Sequence, residues 1–178
     1  MNGTDIRCRC RFVIAESEGE LDVRRVIAPI PTTSPTRYLT GKTALNIPSP
    51  EGTGDWHFSE TFASPPRHSI AGENRISTKA FLGDEGIFDC APILRRCGAV
   101  DGATSRVFAA NHYRAVADLV LDLVIRRKAK VAGVVVLDDW FPQNDEKRRV
   151  VELLEKARPK LPAEHWEKIS TWLTTQQN

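Results

Sequence analysis

The sequence predicts an α+β fold in one compact domain, with an N-terminal β-hairpin, a loop-rich middle third and a helix-rich C-terminal half. Three observations carry that prediction. "IRCRCRFVI" alternates, with Ile6, Cys8, Cys10, Phe12 and Ile14 on one face and Arg7, Arg9 and Arg11 on the other, the period of a half-buried strand. "NHYRAVADLVLDLVIRRKAK" repeats apolar residues at helical spacing. Between them, prolines and glycines recur too often for long regular elements. A chain of 178 residues with 41% apolar content is long enough to bury a core.

In order along the chain, the first strand runs into the polar turn "AESEGE" and a second strand, "LDVRRVIAPI", so that residues 6 to about 30 form a hairpin. "PIPTTSP" then sets three prolines close together and marks a linker, which divides the chain into 1–36 and a main domain of 37–178. From Tyr38 to about Gly86 turn formers dominate, and a loop region that long has a task or wraps a partner. The central helix places Tyr113, Val116, Ala117, Val120, Leu123 and Val124 on one stripe that Leu119 and Leu121 widen. Asn111 is its cap, and four basic residues follow its end. "VAGVVVLDDWF" reads as a buried strand from its β-branched run. Two helices close the chain, one with Val150, Leu153, Leu154 and Ala157 inward. The other starts at Pro162 and carries Trp166, Ile169 and Leu173 along one side, paired antiparallel with the first around "RPKLP".

Composition excludes more than it selects. With 25 basic and 23 acidic residues the net charge is +2, so attraction to nucleic acid would have to come from local clustering. No segment reads as a signal peptide or membrane span, which predicts a cytoplasmic protein. In that compartment four cysteines are expected reduced. Cys8 and Cys10 share the apolar face of a strand, and Cys90 and Cys97 stand too far apart for a zinc knuckle, so no metal and no cofactor are predicted.

Candidate chemistry is sparse. Asp55, Trp56 and His57 stand together in "GTGDWHF", but neighbouring loop residues seldom converge on one atom and no nucleophile accompanies them. Asp55 is expected to cap a turn, Trp56 to plug the core or anchor a partner, and His57 to bond backbone. Asp138 and Asp139 in "VLDDWF" would face opposite ways at a strand end, so capping is preferred to metal binding. "GKT" at Gly41–Thr43 is similar to the end of a phosphate-binding loop, but Thr36 stands where its first glycine belongs. His112, beside the stripe of its helix, is expected at the surface or supporting another residue, and not as a ligand.

"RYLTGKTALNIP" followed by "GTGDWHF" resembles the opening of a group of small bacterial proteins that read RYLTG, ALN and then GDWH, and the likeness extends more weakly over residues 37 to 173. Such proteins are encoded beside toxin genes, nucleotidyltransferase-type toxins among them, and look like their antitoxins. The resemblance implies a noncatalytic antitoxin whose partner is a cognate toxin. A protein that masks another needs anchors, and Arg37, Tyr38, Asp55, Trp56, His57 and Trp140 are the partner-binding candidates. Two other readings stand beside it. One is a metal-dependent nuclease or hydrolase on Asp55, His57, Asp138 and Asp139. The other is a nucleic-acid-binding regulator that uses Arg7, Arg9, Arg11, Arg24 and Arg25 of the hairpin.

Overall fold

The computed structural model describes residues 30–51, 68–96, 100 and 106–176. The expected hairpin, Arg7, Arg9, Arg11, Cys8, Cys10, Cys97 and the whole GDWH run lie outside the described residues.

The described fold is α+β. Its elements are α1 (Gly41–Leu45), α2 (Lys79–Leu82), β1 (Ile87–Asp89), α3 (Ala91–Arg96), β2 (Phe108–Ala110), α4 (His112–Leu121), α5 (Leu137–Trp140), α6 (Asn144–Ala157) and α7 (Ala163–Thr174). A π-helical segment, Asp122–Arg126, continues α4, and a 3-10 turn, Arg158–Lys160, follows α6.

The centre is α4, as its periodicity predicts. Asn111 caps it by accepting the Arg114 backbone N–H at 2.9 Å. Val116, Ala117, Val120, Leu121 and Val124 are fully buried, with Leu119 and Leu123 nearly so. Helix α6 packs along α4 through Val150, Leu153, Leu154 and Ala157, the face its own spacing predicts. In its first turn the Glu146 carboxylate accepts the Gln143 N–H at 3.1 Å. α7 follows α6 across the Arg158–Lys160 turn, and its backbone approaches the π segment, where Ile169, Trp172 and Leu173 enter the core.

β1 and β2 pair antiparallel, with Phe88 opposite Ala109. Beside β2 runs the extended segment Tyr38–Thr40. The Leu39 N–H donates to Phe108 O at 2.9 Å, and Leu39 O accepts from Ala110 N–H at 2.8 Å. On its other side Thr40 N–H donates to Ser69 O and Tyr38 O accepts from Ala71 N–H, both at 2.9 Å. Side chains of an extended segment alternate between faces. Leu39 therefore joins a small cluster with Ile47, Ile70, Cys90, Leu94 and Val107, while Tyr38 joins the main core around α4.

Two expectations fail here. "VAGVVVLDDWF" is no strand but a turn over 132–134 followed by α5. Gly133 takes a left-handed φ of +77°, and the inward residues are Val131, Val135 and Leu137. The backbone finds its partners in α7 and just past its end instead: the Trp172 indole N–H donates to Val135 O at 3.0 Å, and Leu137 N–H donates to the Gln176 side chain at 2.8 Å. Asp138 and Asp139 consequently sit in the first turn of α5, with Asp138 ion-paired to Lys147, not at a strand end. Of the two places expected for His112, the surface is excluded. The side chain is fully buried, with Nε2 2.8 Å from the carbonyl of Ile47.

Candidate functional site: a buried charge ladder beneath the RYLTG segment

Along one side of α4 and its π extension, Arg114, Asp118, Asp122 and Arg126 recur every four residues. That spacing stacks them in a row on a helix surface. Three of the four are buried, and each carboxylate is held by partners from distant parts of the chain.

Asp118 is the inner node. Its Oδ1 accepts from Arg114 Nε at 2.7 Å and from the Thr78 hydroxyl. Oδ2 accepts from Tyr38 OH at 2.9 Å and from Thr40 Oγ1 at 2.7 Å. Arg114, wholly buried, spends its remaining donors on Tyr38 OH at 3.0 Å, Thr78 Oγ1 at 2.7 Å and the carbonyls of Glu85 at 2.6 Å and Gly83 at 3.3 Å. Burial works against the guanidinium charge, but Asp118 and Tyr38 outweigh it and hold the arginine firmly protonated. Burial first, and then Asp118, pushes the Tyr38 phenol well above its ordinary range, so it stays a neutral donor. Every donor and acceptor of the cluster meets another member, as a buried charged group requires.

Asp122 is the outer node. It accepts from Ile76 N–H at 3.0 Å, Arg75 Nη1 at 3.2 Å and Arg126 Nε at 2.6 Å, and its ion pair with Arg127 Nε spans 3.3 Å. Burial alone would raise its pKa. The bonds from Arg126, the Ile76 N–H and Arg75 outweigh that and hold the carboxyl below the ordinary value. A depressed folded pKa contributes stability that is present above the unfolded pKa, near 3.8, and is lost as pH falls through the folded value. Asp122→Asn is accordingly expected to lower stability at neutral pH and to flatten the loss on acidification below about pH 4, read as urea midpoints across pH.

The local sequence explains why the RYLTG residues suit this place. Thr40 stands at the N-cap position of α1, yet its hydroxyl donates to Asp118 instead of capping. Gly41 turns the chain with a φ of +52°, which favours glycine. Thr43 accepts the Ser69 N–H at 2.8 Å, so α1 holds the strand-like segment that follows. On the far side Gly86, with φ +74°, lies so close to Arg114 and Asn111 that an added Cβ would fall 2.7 Å from the Arg114 Cβ.

The sequence-predicted residues are dispersed. Arg37 is half-exposed and ion-paired with Glu73, whereas Tyr38, the next residue, is wholly buried, so its ring belongs to the core and not to an exposed surface. Trp140 is half-buried against the main core at the end of α5. Asp55, Trp56 and His57 lie outside the described residues. Both flanks of that run are nonetheless pinned to the scaffold. Glu51 accepts from Asn111 Nδ2 at 2.6 Å and from the Ser49 hydroxyl, and Ser69 is fixed by Thr43 and Thr40. Beside Glu51 opens a cleft of about 350 Å³ lined by Phe88, Tyr113, Arg149, Glu152 and Leu153 among others.

Cys90, in the small cluster, is a buried thiol whose pKa burial and then Asp89 push up to about 12, which makes it an inert packing group. Among the described residues no three His, Cys, Asp or Glu side chains are placed to hold a metal together, and no helix is long and apolar enough to cross a membrane.

Arg114, Asp118, Asp122 and Thr78 are the residues that sequence reasoning missed. Their every-fourth spacing was the available signal, overshadowed by the apolar stripe of the same helix. Set against known proteins, the chain matches no family model, no curated protein and no solved structure, so the functional reading rests on this geometry and on the residues themselves.

Proposed function

We propose that this chain is a noncatalytic binding protein, an antitoxin that neutralises a cognate toxin by direct contact. The observation that carries the reading is the use made of the RYLTG residues. Tyr38 and Thr40 hold a buried ion pair from beneath, Gly41 and Thr43 fix the turn, and the same unit pins both flanks of the GDWH run. The polar groups of the cluster satisfy one another inside the core, which suits a scaffold better than a reaction centre, where groups must meet substrate. In this reading the scaffold presents Asp55, Trp56 and His57, with Arg37 and Trp140 as further anchors. The cleft beside Glu51 offers apolar walls and a charged rim of the kind protein interfaces use.

Co-expression with the toxin encoded by the neighbouring gene tests the proposal: growth is restored and the two proteins co-purify. His57→Gln is expected to keep protection, since glutamine still donates and accepts a hydrogen bond. Trp56→Ala is expected to lose it, through an interface anchor worth about 2 kcal/mol or more or a core plug worth about 3–5 kcal/mol. Normal melting with lost binding places Trp56 at the interface, and unfolding places it in the core. Loss of protection by His57→Gln with stability and toxin binding intact sinks the antitoxin reading, because a binder has no proton transfer to lose.

A further inference from the structure

The end of α4 carries a basic patch that the proposed toxin-binding role does not account for, although Arg37 would belong to both. The sequence there is "RRKAK", and Arg126, Arg127, Lys128 and Lys130 are all exposed. The buried Asp122 carboxylate gathers Arg126 and Arg127 from this turn and Arg75 from another part of the chain. Alongside runs a cleft of about 570 Å³ lined by His68, Ser69, Asn74, Arg75, Glu73 and Arg127, with the Arg37–Glu73 ion pair at its edge. Among the described residues Arg37, Arg75, Arg126 and Arg127 pair with two acids, Glu73 and Asp122, and Lys128 adds a fifth cation, an excess of three positive charges in a chain whose overall net charge is +2.

Two further details give this patch a direction. Asp122 lies 3.3 Å from Nε of Arg127, which is half-exposed, so the anchoring carboxylate fixes where an outward-reaching guanidinium sits. Lys128 closes the helix with φ +52°, the conformation in which helices ordinarily end on glycine. It is the one non-glycine residue with positive φ among the described residues, and it makes no ion pair. A cation where helices usually end on glycine is a position at which a ligand contact could offset a local cost.

We infer that the Arg75–Arg127–Lys128 surface is a nucleic-acid phosphate-binding site. Planar guanidinium groups held by a buried acid suit phosphodiester oxygens. The surface has little with which to enter a bilayer, since among the described residues the exposed large apolar side chain is Val134.

The test is fluorescence anisotropy of the purified full chain with labelled random-sequence oligonucleotides of about 20 nucleotides, single-stranded and duplex, between about 50 and 200 mM salt. Binding that falls with salt along a slope of about −2 to −3 is expected, the value for roughly three phosphate contacts. The combined variant Arg127→Ala, Lys128→Gly and Lys130→Ala should lose at least about tenfold in affinity and most of that slope while keeping its melting temperature. Lys128→Gly alone should raise the melting temperature and lower the slope by about one. The inference is overturned if the wild-type chain binds neither oligonucleotide, or if the combined variant binds like wild type. An unchanged slope in Lys128→Gly, loss of binding only on replacing Arg7, Arg9 and Arg11, or capture by anionic vesicles in place of oligonucleotides overturns it as well.

Discussion

Asp118→Ala is expected to leave the chain unable to fold stably at 37 °C. The carboxylate is 2% exposed and takes hydrogen bonds from Arg114, Tyr38, Thr40 and Thr78, so its removal strands a guanidinium that is 0% exposed. Breaking a buried pair from one side costs about 3–5 kcal/mol, a large part of what a domain of this size has in reserve. The pair itself is a different matter. Arg114→Met combined with Asp118→Leu removes both charges, and the double variant is expected to be more stable than the sum of the single losses predicts, by about 0.5–3 kcal/mol. It should not regain wild-type stability, because the Gly83 and Glu85 carbonyls and the Tyr38 and Thr78 hydroxyls lose partners. Urea midpoints of the four proteins in the cycle decide the matter. Strict additivity would show that the ladder is not coupled.

Val120→Asp is expected to be as damaging, for the opposite reason. Asp118 and Asp122 show that α4 tolerates buried carboxylates two positions to either side, but only where arginines and hydroxyls from Tyr38, Thr78 and Arg75 reach them. Val120 points into the apolar side of the helix with Leu123 and Val124, where no donor waits. An unpaired charge there belongs at the top of the range for single replacements, on the order of 4–5 kcal/mol. Val120→Ala removes the packing without adding the charge and is the control, with the lost methyls costing on the order of 1–2 kcal/mol. Soluble yield and thermal melting check the pair. A soluble Val120→Asp chain with normal melting would mean that the stripe faces elsewhere.

The elements legible in the sequence were those held by their own periodicity. The spacing of α4 and α6 gave their buried faces, and Asn111 gave the cap, because these depend on residues three or four apart. What was misread depends on partners far away in the chain. Nothing near "VAGVVVL" discloses that Trp172 and Gln176 will take its backbone groups, so β-branched composition suggested a strand that has no neighbour to pair with. His112 reads as a surface residue until Ile47, 65 positions earlier, supplies a carbonyl in the core. Tyr38 looks like an interface anchor for the same reason that it suits a buried network: it has a large apolar ring and one polar tip, and its partner Asp118 stands 80 residues on. The ladder lay open as spacing alone, since which hydroxyls and arginines gather round each buried carboxylate is decided by the start of α2 and the Ser69–Ile76 turn. Asp55, Trp56 and His57 belong to the stretch outside the described residues, so their roles stand as proposed.

The three residues Tyr38–Thr40 serve both clusters at once, Leu39 in the smaller, Tyr38 in the larger and Thr40 on Asp118 beside it, while their backbone joins β2 to the Ser69–Ala71 segment. A side chain lost from either cluster therefore loosens a strand that the other also needs. The smaller cluster is too slight to persist by itself, and the larger loses a hydroxyl pair from its ion ladder if that strand departs. The two should melt as one cooperative unit, with the amides of Leu39, Thr40, Ala71 and Ala110 exchanging only when the whole molecule opens. Under the proposed function such cooperativity would make presentation all-or-none: the flanks at Glu51 and Ser69 would be set whenever the chain is folded, and no half-folded form would offer them.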